Sequence, residues 1–544
     1  MILNSKLLAF LIAGILSSSV AWSMPKAKSK SGKIDQVTYA KIVEELSPKI
    51  SHTAEEPLYT PAEIEKIKTE IANQRTPATG DGTAASQEFK DLADELLRIS
   101  SAPRPSFDKP ELLTTNTDRL EIFLAKLEHD YKDYKNTDTK LFASQFIPLR
   151  TLRGVVWKMI GLFQDRDTRP AHSLALTAFK SFAGQMNIAI PDKSWEVGFD
   201  YITQPYVRDM VTKDGSSIEL SKAFADLAEF QGFMAQFREV LETSRTQLFE
   251  LKVSDGGPVV LWDQKVFFGP KSLKDDLKRY KRVGELEKQL MLSNLFFTLS
   301  QLDFMLAYSL NGALDLSTKI GWTFGIDGQF IAGVEGVTAQ DFHDKILKQH
   351  PEVGIGMNNR VAKVQEAFKN LKHATGTLEL AWERTKESRN GGVWLLNSGY
   401  VLRDRSFVDS KFIDFARALK NRVMIKNSIT GEEAMVDIPA FLNSGGPKKL
   451  ADLLPTSFTP GLKGNSEWIT IVLTDSNKVQ HTSEFRDYRK GSPRGYDRSK
   501  FALLFPNLAK PEFNNDQELN RSLRVLNSVL GNFTAISLLG GVPQ

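Results

Sequence analysis

Hydrophobic positions recur every three, four or seven residues along most of this chain. That is the period of an α-helix with one face turned inward. Val37, Ile42, Val43 and Leu46 mark a first helix. A second opens at Thr60-Pro61-Ala62-Glu63, where a capping threonine precedes Pro at the first helical position, and runs on through Ile64, Ile67 and Ile71. Phe89, Leu92, Leu96 and Leu97 mark a short third helix. The stretch 74–87 is poor in apolar residues, and 100–110 carries Pro103, Pro105 and Pro110, so both read as linkers.

From Glu111 the helical period continues. Leu120, Phe123, Leu124 and Leu127 share one face, as do Leu152, Val155, Val156, Met159, Ile160 and Phe163. Leu174, Leu176, Phe179, Phe182 and Ala183 mark a further helix. Ile218 to Leu251 is a long one, apolar at Phe224, Leu227, Phe230, Met234, Phe237, Leu241 and Leu248. Val259–Trp262 and Val266–Phe268 then suggest a strand pair around Asp263-Gln264-Lys265. Lys271 to Leu316 reads as helix, and within it Gln289 to Leu314 carries a single charge, Asp303. A charge at the centre of a membrane helix costs ~2.5–3.5 kcal/mol, and Asn294 and Gln301 add to that, so the pattern points to a buried core helix.

Alternation appears later. Ile320 to Ile326 and Phe330 to Val334 flank Asp327-Gly328 as a hairpin. A helix is expected from Thr338 to His350, and another from Asn358 to Ser388 before Asn390-Gly391-Gly392. Two further hairpins are predicted, Val423–Lys426 with Ala434–Ile438, and Trp468–Leu473 with Val479–Phe485. Gln517 to Leu539 reads as a C-terminal helix. The expected fold is α+β and predominantly α-helical: a helical body, then a mixed region with β-hairpins and a C-terminal helix. The expected division is 1–23 signal peptide, 24–110 N-terminal helices with flexible and Pro-rich linkers, 111–310 helical domain, and 311–544 mixed α+β domain.

Composition adds a compartment. Lys6 precedes an apolar run from Leu7 to Leu16, and Ser19-Val20-Ala21 and Ala21-Trp22-Ser23 both offer small residues at the −3 and −1 positions of a signal-peptidase site. Ten apolar residues are too few for a bilayer-spanning helix, which needs about 20. Residues 1–23 therefore read as a cleaved signal peptide, with an exported, periplasmic or secreted product and no transmembrane segment in the mature chain. The 544 residues include no cysteine. That excludes disulfides, thiolate catalysis, iron–sulfur clusters, cysteine zinc sites and cysteine-linked lipid. A large exported chain without cysteine fits a bacterial envelope better than a eukaryotic secretory route, where disulfides are common.

The search for chemistry finds little. Gly32-Lys33 lacks the rest of a phosphate loop, and Gly354-Ile355-Gly356 lacks the third glycine of a dinucleotide fingerprint, with Asn359 in its place. Ser106-Phe107-Asp108-Lys109 is an S-x-x-K tetrad stranded in the Pro linker. Asp475-Ser476-Asn477 lacks the next oxygen ligand of a calcium loop, since Val479 stands there. His343 and His350 sit seven residues apart, about 10.5 Å along a helix, too far for one zinc. Arg403-Asp404-Arg405 with Asp409, Asp414 and Arg417 reads as a salt-bridged turn and amphipathic helix. No cofactor or metal is expected.

One segment stands out. Arg486 to Lys500 holds Arg486, Arg489, Lys490, Arg494, Arg498 and Lys500 against Asp487 and Asp497, which is 6 − 2 = +4, with Tyr488 and Tyr496 interleaved. Arginine forks suit phosphate and carboxylate groups, and tyrosine stacks or hydrogen-bonds. The chain as a whole is only +4, giving no general drive toward nucleic acid. The first expectation is an exported binding or scaffolding protein whose basic loop engages an anionic envelope component or a protein partner. The second is an envelope-directed hydrolase whose site assembles only in three dimensions, from residues such as Asp341, His343, Asp344, His373 and His481. A third is an assembly factor whose Phe-rich helices dock a partner.

Overall fold

The structure is a computed structural model. It describes residues 34–48, 61–73, 85–102, 110–162, 175–180, 182–183, 196–203, 223–253, 260–268, 279–314, 350–384, 394–395, 415–427, 431–453, 467–474, 480–487 and 495–526. The fold is predominantly α-helical α+β, with three two-stranded antiparallel sheets among the described residues. The predicted hairpin around Asp327-Gly328 and the Thr338–His350 helix, apart from His350 itself, lie outside the described residues.

In chain order the helices are α1 (Gln36–Leu46), α2 (Pro61–Asn73), α3 (Gln87–Ser100), α4 (Pro110–Asp130), α5 (Thr137–Thr151), α6 (Val155–Ile160), α7 (Glu196–Thr203) and α8 (Leu227–Glu250). Strand β1 (Val260–Asp263), the short α9 (Gln264–Phe268) and β2 (Tyr280–Val283) follow. Then come α10 (Glu285–Leu306), α11 (Arg360–Arg384), β3 (Val423–Lys426), β4 (Glu433–Val436), α12 (Ile438–Asn443), β5 (Glu467–Thr474) and β6 (Gln480–Asp487). Residues 516–526 form the described part of the C-terminal helix, with the Asn515 side chain accepting from the Glu518 amide at 2.8 Å as its cap.

Three expectations are corrected. Val260–Asp263 pairs with Tyr280–Val283, not with Val266–Phe268. The Asp263 carboxylate accepts from the Lys265 amide (2.9 Å) and from Arg279 Nε (2.8 Å), which turns the chain into α9 directly after the strand. Within the stretch expected as one helix over Lys271–Leu316, the described helix runs from Glu285 to Leu306. The stretch takes in β2, and Gly284 closes that strand by donating to the Glu287 carboxylate at 2.9 Å. Likewise the helix expected from Leu152 starts at Val155, because Gly154 adopts φ 61° between α5 and α6.

Two apolar cores form. One gathers Phe89, Phe123, Phe142 and Trp262, with Phe142 5.7 Å from Phe89 and 6.0 Å from Trp262 between ring centres. The other gathers Trp157, Phe179, Phe224, Phe230 and Phe233. Helix α10 serves both: Leu292, Phe296 and Phe297 enter the first, and Leu299, Leu302, Phe304 and Leu306 the second. This is why its apolar residues occupy every face. Such a helix is buried in a core or a membrane, and α10 is buried between α8 and α11. No helix of the described residues is long and apolar enough to cross a membrane.

Helix α11 lies along α10 in a seam with a seven-residue repeat. Ser293 Oγ donates to the Ala374 carbonyl (2.9 Å), and Ser300 Oγ to the Ala367 carbonyl (2.7 Å). Small residues seven apart on both helices let the backbones approach and keep the contact in register. Helix α2 docks on the far part of α11, where Gly376 leaves room for Ile64 and Glu379 accepts from Lys68 and from Lys420 (3.0 Å).

That triad sets a pH dependence. Burial opposes the charge of Glu379, yet the bonds from Lys68 and Lys420 outweigh it and hold the carboxyl below its ordinary value. A depressed carboxyl contributes stability above its unfolded pKa, about 4.3, and loses it as pH falls through the folded value. Glu379→Gln is therefore expected to cost about 1 kcal/mol at pH 7, a discounted figure because all three groups are partly exposed. The gap from the parent should close in acid. Urea unfolding of both proteins from pH 7 to pH 3 tests this, and a gap that stays constant in acid would refute it.

Helix α1 is fastened by a polar seam. Tyr39 Oη donates to Gln231 Oε1 at 2.5 Å, inside the fold. The same amide donates to the Tyr308 (2.9 Å) and Met305 (3.2 Å) carbonyls and accepts from the Leu310 amide (3.4 Å). Asn311 Nδ2 donates to the Ile34 carbonyl at 2.8 Å, and Ser309 Oγ to Gln36 Oε1 at 3.2 Å. Gly232 lets Leu46 lie directly on α8, since a Cβ there would stand 2.6 Å from the Leu46 Cβ.

Candidate partner-binding surface

The basic segment grows out of a β-hairpin. Strands β5 and β6 pair antiparallel from Glu467 opposite Asp487 to Thr474 opposite Gln480, as the alternation of Trp468–Leu473 and Val479–Phe485 predicts to within two residues. Arg486 is the penultimate residue of β6 and stands opposite Trp468. Tyr488, Arg489, Lys490 and Arg494 lie outside the described residues. The chain is described again from Gly495.

The far end of the segment is committed to the fold. Tyr496 meets Phe501 edge to face at 5.7 Å, and Phe501 is buried in the first core. Arg498 Nε donates to Asn514 Oδ1 (2.7 Å) and its Nη1 to Asp516 Oδ1 (2.8 Å), at the start of the C-terminal helix. Lys500 Nζ stands 4.0 Å from both Asp452 and Asp497. Asp497 accepts from Ser499 Oγ (2.6 Å), and that bond, with the Ser499 amide, holds its carboxyl below the ordinary value. Setting aside Arg498, Lys500 and Asp497 leaves Arg486, Arg489, Lys490 and Arg494 against Asp487, which is 4 − 1 = +3 over nine residues.

The hydrolase set does not come together among the described residues. Asp341, His343 and Asp344 lie outside them, and of His481 only the place in β6, opposite Leu473, is described. His373 is half-buried on α11, its ring 5.3 Å from that of Phe296. His350 is buried with Nδ1 3.4 Å from Glu352 Oε1. Arg403, Asp404, Arg405, Asp409 and Asp414 are outside the described residues, and Arg417 is exposed on a short helix. The same holds for the tetrad Ser106–Lys109 and for Asp475–Asn477. Among the described residues no group of three or more His, Asp and Glu is placed to hold a metal ion.

The Gly354-Ile355-Gly356 stretch has a structural task. Gly354 sits at φ 73° and its amide donates to the Ser309 carbonyl (2.9 Å). The Gly356 amide donates to the Lys448 carbonyl (2.9 Å). Both amides that would face a pyrophosphate are thus spent on joining three chain segments.

Sequence reasoning missed the most polar place in the interior. Arg238 on α8 and Asp303 on α10 are both fully buried and form a bidentate pair, Nε–Oδ1 3.0 Å and Nη2–Oδ2 3.1 Å. Lys363 Nζ (2.9 Å) and Asn370 Nδ2 (3.0 Å) of α11 also donate to Asp303. Glu239, Glu242 and Glu366 ring the guanidinium at 3.2, 4.0 and 3.7 Å. Burial works against the Arg238 charge, but Asp303, together with Glu239 and Glu242, outweighs it and raises its pKa. Every acceptor of Asp303 is engaged, so the cluster acts as a three-helix clamp. The lone charge in an apolar helix was its visible trace; the partners, 60 to 67 residues away, had none. Lys288, at the N-terminal end of α10, is also buried; it donates to the Leu251 carbonyl (2.5 Å), and burial holds its pKa below the ordinary value.

Compared with protein-family models, curated proteins and solved structures, the chain matches none.

Proposed function

We propose that this chain is an exported protein that binds or scaffolds at a bacterial envelope, and that residues 486–494 engage an anionic partner there. The observation that carries the reading is the residual charge of that segment. Arg498 and Lys500 meet Asp516, Asp452 and Asp497, and the sequence ahead of them, from Arg486 to Arg494, carries a further +3. Export is supported by the leader-like pattern of residues 1–23, and the absence of cysteine favours a bacterial envelope over a eukaryotic secretory route.

The test uses the full chain. The mature protein is expected to begin after Ala21 or Ser23, read by N-terminal sequencing of the exported product. It should sediment with anionic envelope fractions at low salt and be released by salt, which screens exposed charges within about 10 Å at 0.1 M. Arg489→Glu with Arg494→Glu should abolish the association, while Lys132→Glu in the exposed turn after α4 should not. Unchanged sedimentation of the double variant would refute the role of the segment.

A further inference from the structure

We infer that Asn311 is a self-modification site guarded by α1: when α1 leaves its seat the Asn311 side-chain amide converts to a carboxylate, and the product holds α1 open. The site lies in the turn after α10. Asn311-Gly312 is one of two Asn-Gly pairs in the sequence, and the other, Asn390-Gly391, lies outside the described residues. Asparagine is thermolabile, and most so before glycine, because the next amide nitrogen attacks the side-chain carbonyl and glycine has no side chain to obstruct it. The fold uses both residues. Gly312 sits at φ 75°, and a Cβ there would run into the Glu352 carboxylate, so glycine is required. Asn311 is buried, and its Nδ2 donates to the Ile34 carbonyl at 2.8 Å, just ahead of the Asp35 cap of α1. Its backbone amide donates to Ser309 Oγ (3.1 Å), and that hydroxyl donates to Gln36 Oε1 (3.2 Å). A labile pair therefore forms the clasp on the first turn of α1.

The reaction needs only water. The Gly312 nitrogen gives its proton to solvent and bonds to Asn311 Cγ. The bond from Cγ to Nδ2 breaks, and ammonia leaves with a proton taken from solvent. Water then opens the resulting succinimide ring at either carbonyl, giving aspartate or, with one extra carbon in the main chain, isoaspartate. While α1 is docked, the bond to Ile34 fixes the side-chain amide and burial limits the approach of water, so the reaction waits for α1 to leave. Elements with few buried apolar contacts open locally, without global unfolding. Helix α1 is of that kind: Tyr39 and Val43 are its buried residues, and the rest of its seat is the polar seam. The product alters the seat. A donor to the Ile34 carbonyl becomes a carboxylate that faces another acceptor, so redocking costs a hydrogen bond and the burial of a charge.

The experiment incubates the full chain in mildly alkaline buffer and follows Asn311 by peptide mapping, with mass spectrometry for the amide-to-acid change and isoaspartyl methyltransferase labelling for isoaspartate. Val43→Asp puts a charge on the buried face of α1, toward the end away from Ile34. It is expected to speed the conversion by on the order of tenfold, the effect of ~1.4 kcal/mol lost from docking. Val37→Asp, on the exposed face, should match the parent. The chain unfolded in guanidinium sets the unguarded rate. Circular dichroism shows whether each variant keeps the helix content of the parent, and Tyr39→Ala, a milder lesion of the same face, replaces Val43→Asp if that chain unfolds. In a second arm Asn311→Asp supplies the product directly, and protease should cut residues 34–46 faster in it than in the parent. Equal conversion in the parent and the α1 variants, or a parent as fast as the unfolded chain, would overturn the guard. An intact Asn311 in the unfolded chain would remove the site altogether. Residues 34–46 as resistant in Asn311→Asp as in the parent would show that the product does not hold α1 open.

Discussion

Asp303→Asn is expected to destabilise the protein by about 3 kcal/mol. Breaking a buried ion pair costs about 3–5 kcal/mol because the remaining charge stays in the interior uncompensated. Asp303 is the hub: its loss strips Arg238, Lys363 and Asn370 of one shared acceptor. The lower end of the range applies because Glu239, Glu242 and Glu366 still surround the guanidinium. Arg238→Met should cost less, since Asp303 keeps Lys363 and Asn370. Urea unfolding reads both. A loss under about 1 kcal/mol for Asp303→Asn would mean that the clamp contributes little and that packing of α8, α10 and α11 carries the join.

The second large effect is expected at Gln231. Leucine fills the same space but offers no polar atom. The Tyr308 carbonyl and the Leu310 amide then lose the partner shown for each, at about 1–3 kcal/mol per buried group left unsatisfied. The Met305 carbonyl still receives the Tyr308 amide at 3.4 Å, and the Tyr39 hydroxyl still reaches the Leu227 carbonyl at 3.2 Å. Gln231→Leu should therefore lose about 3 kcal/mol, and Tyr39→Phe about 1 kcal/mol. The order matters more than the values. If Tyr39→Phe proved as damaging as Gln231→Leu, the amide would not be the centre of the seam.

These two sites also mark where reading the sequence stops. Helices were legible because their apolar period is local: α11 and the start of the C-terminal helix lie where spacing places them, while α8, expected from Ile218, begins only at Leu227, capped by Asp226. The hairpins β3–β4 and β5–β6 were legible because only a few residues separate their strands. The β1–β2 pair was not, since β2 begins sixteen residues after β1 ends and its Lys and Arg content resembles the helical run around it. The basic segment was visible as composition. Its division was not, because Arg498 finds Asn514 and Asp516 sixteen and eighteen residues on, through a turn that no period announces. Side-chain pairs such as Tyr39–Gln231, 192 residues apart, leave no mark on local pattern at all.

The seat of α1 has a consequence for the order of events during synthesis. Helix α1 leaves the ribosome first, but its partners arrive as late as Met357, 321 residues beyond Gln36. At ~5–20 residues per second that is a wait of roughly 15 to 65 s. Tyr39 has no Gln231 to bind until α8 has emerged, and the seam stays incomplete until Met357, a contact between distant parts of the chain of the kind that folds slowly. The N-terminal segment of a nascent chain is thus available to chaperones and to a translocation channel at least until α8 exists. Its docking becomes a late, chain-length-dependent step, so ribosome-bound chains stalled before residue 227 should show residues 34–46 open to protease, and chains released at full length should show them closed.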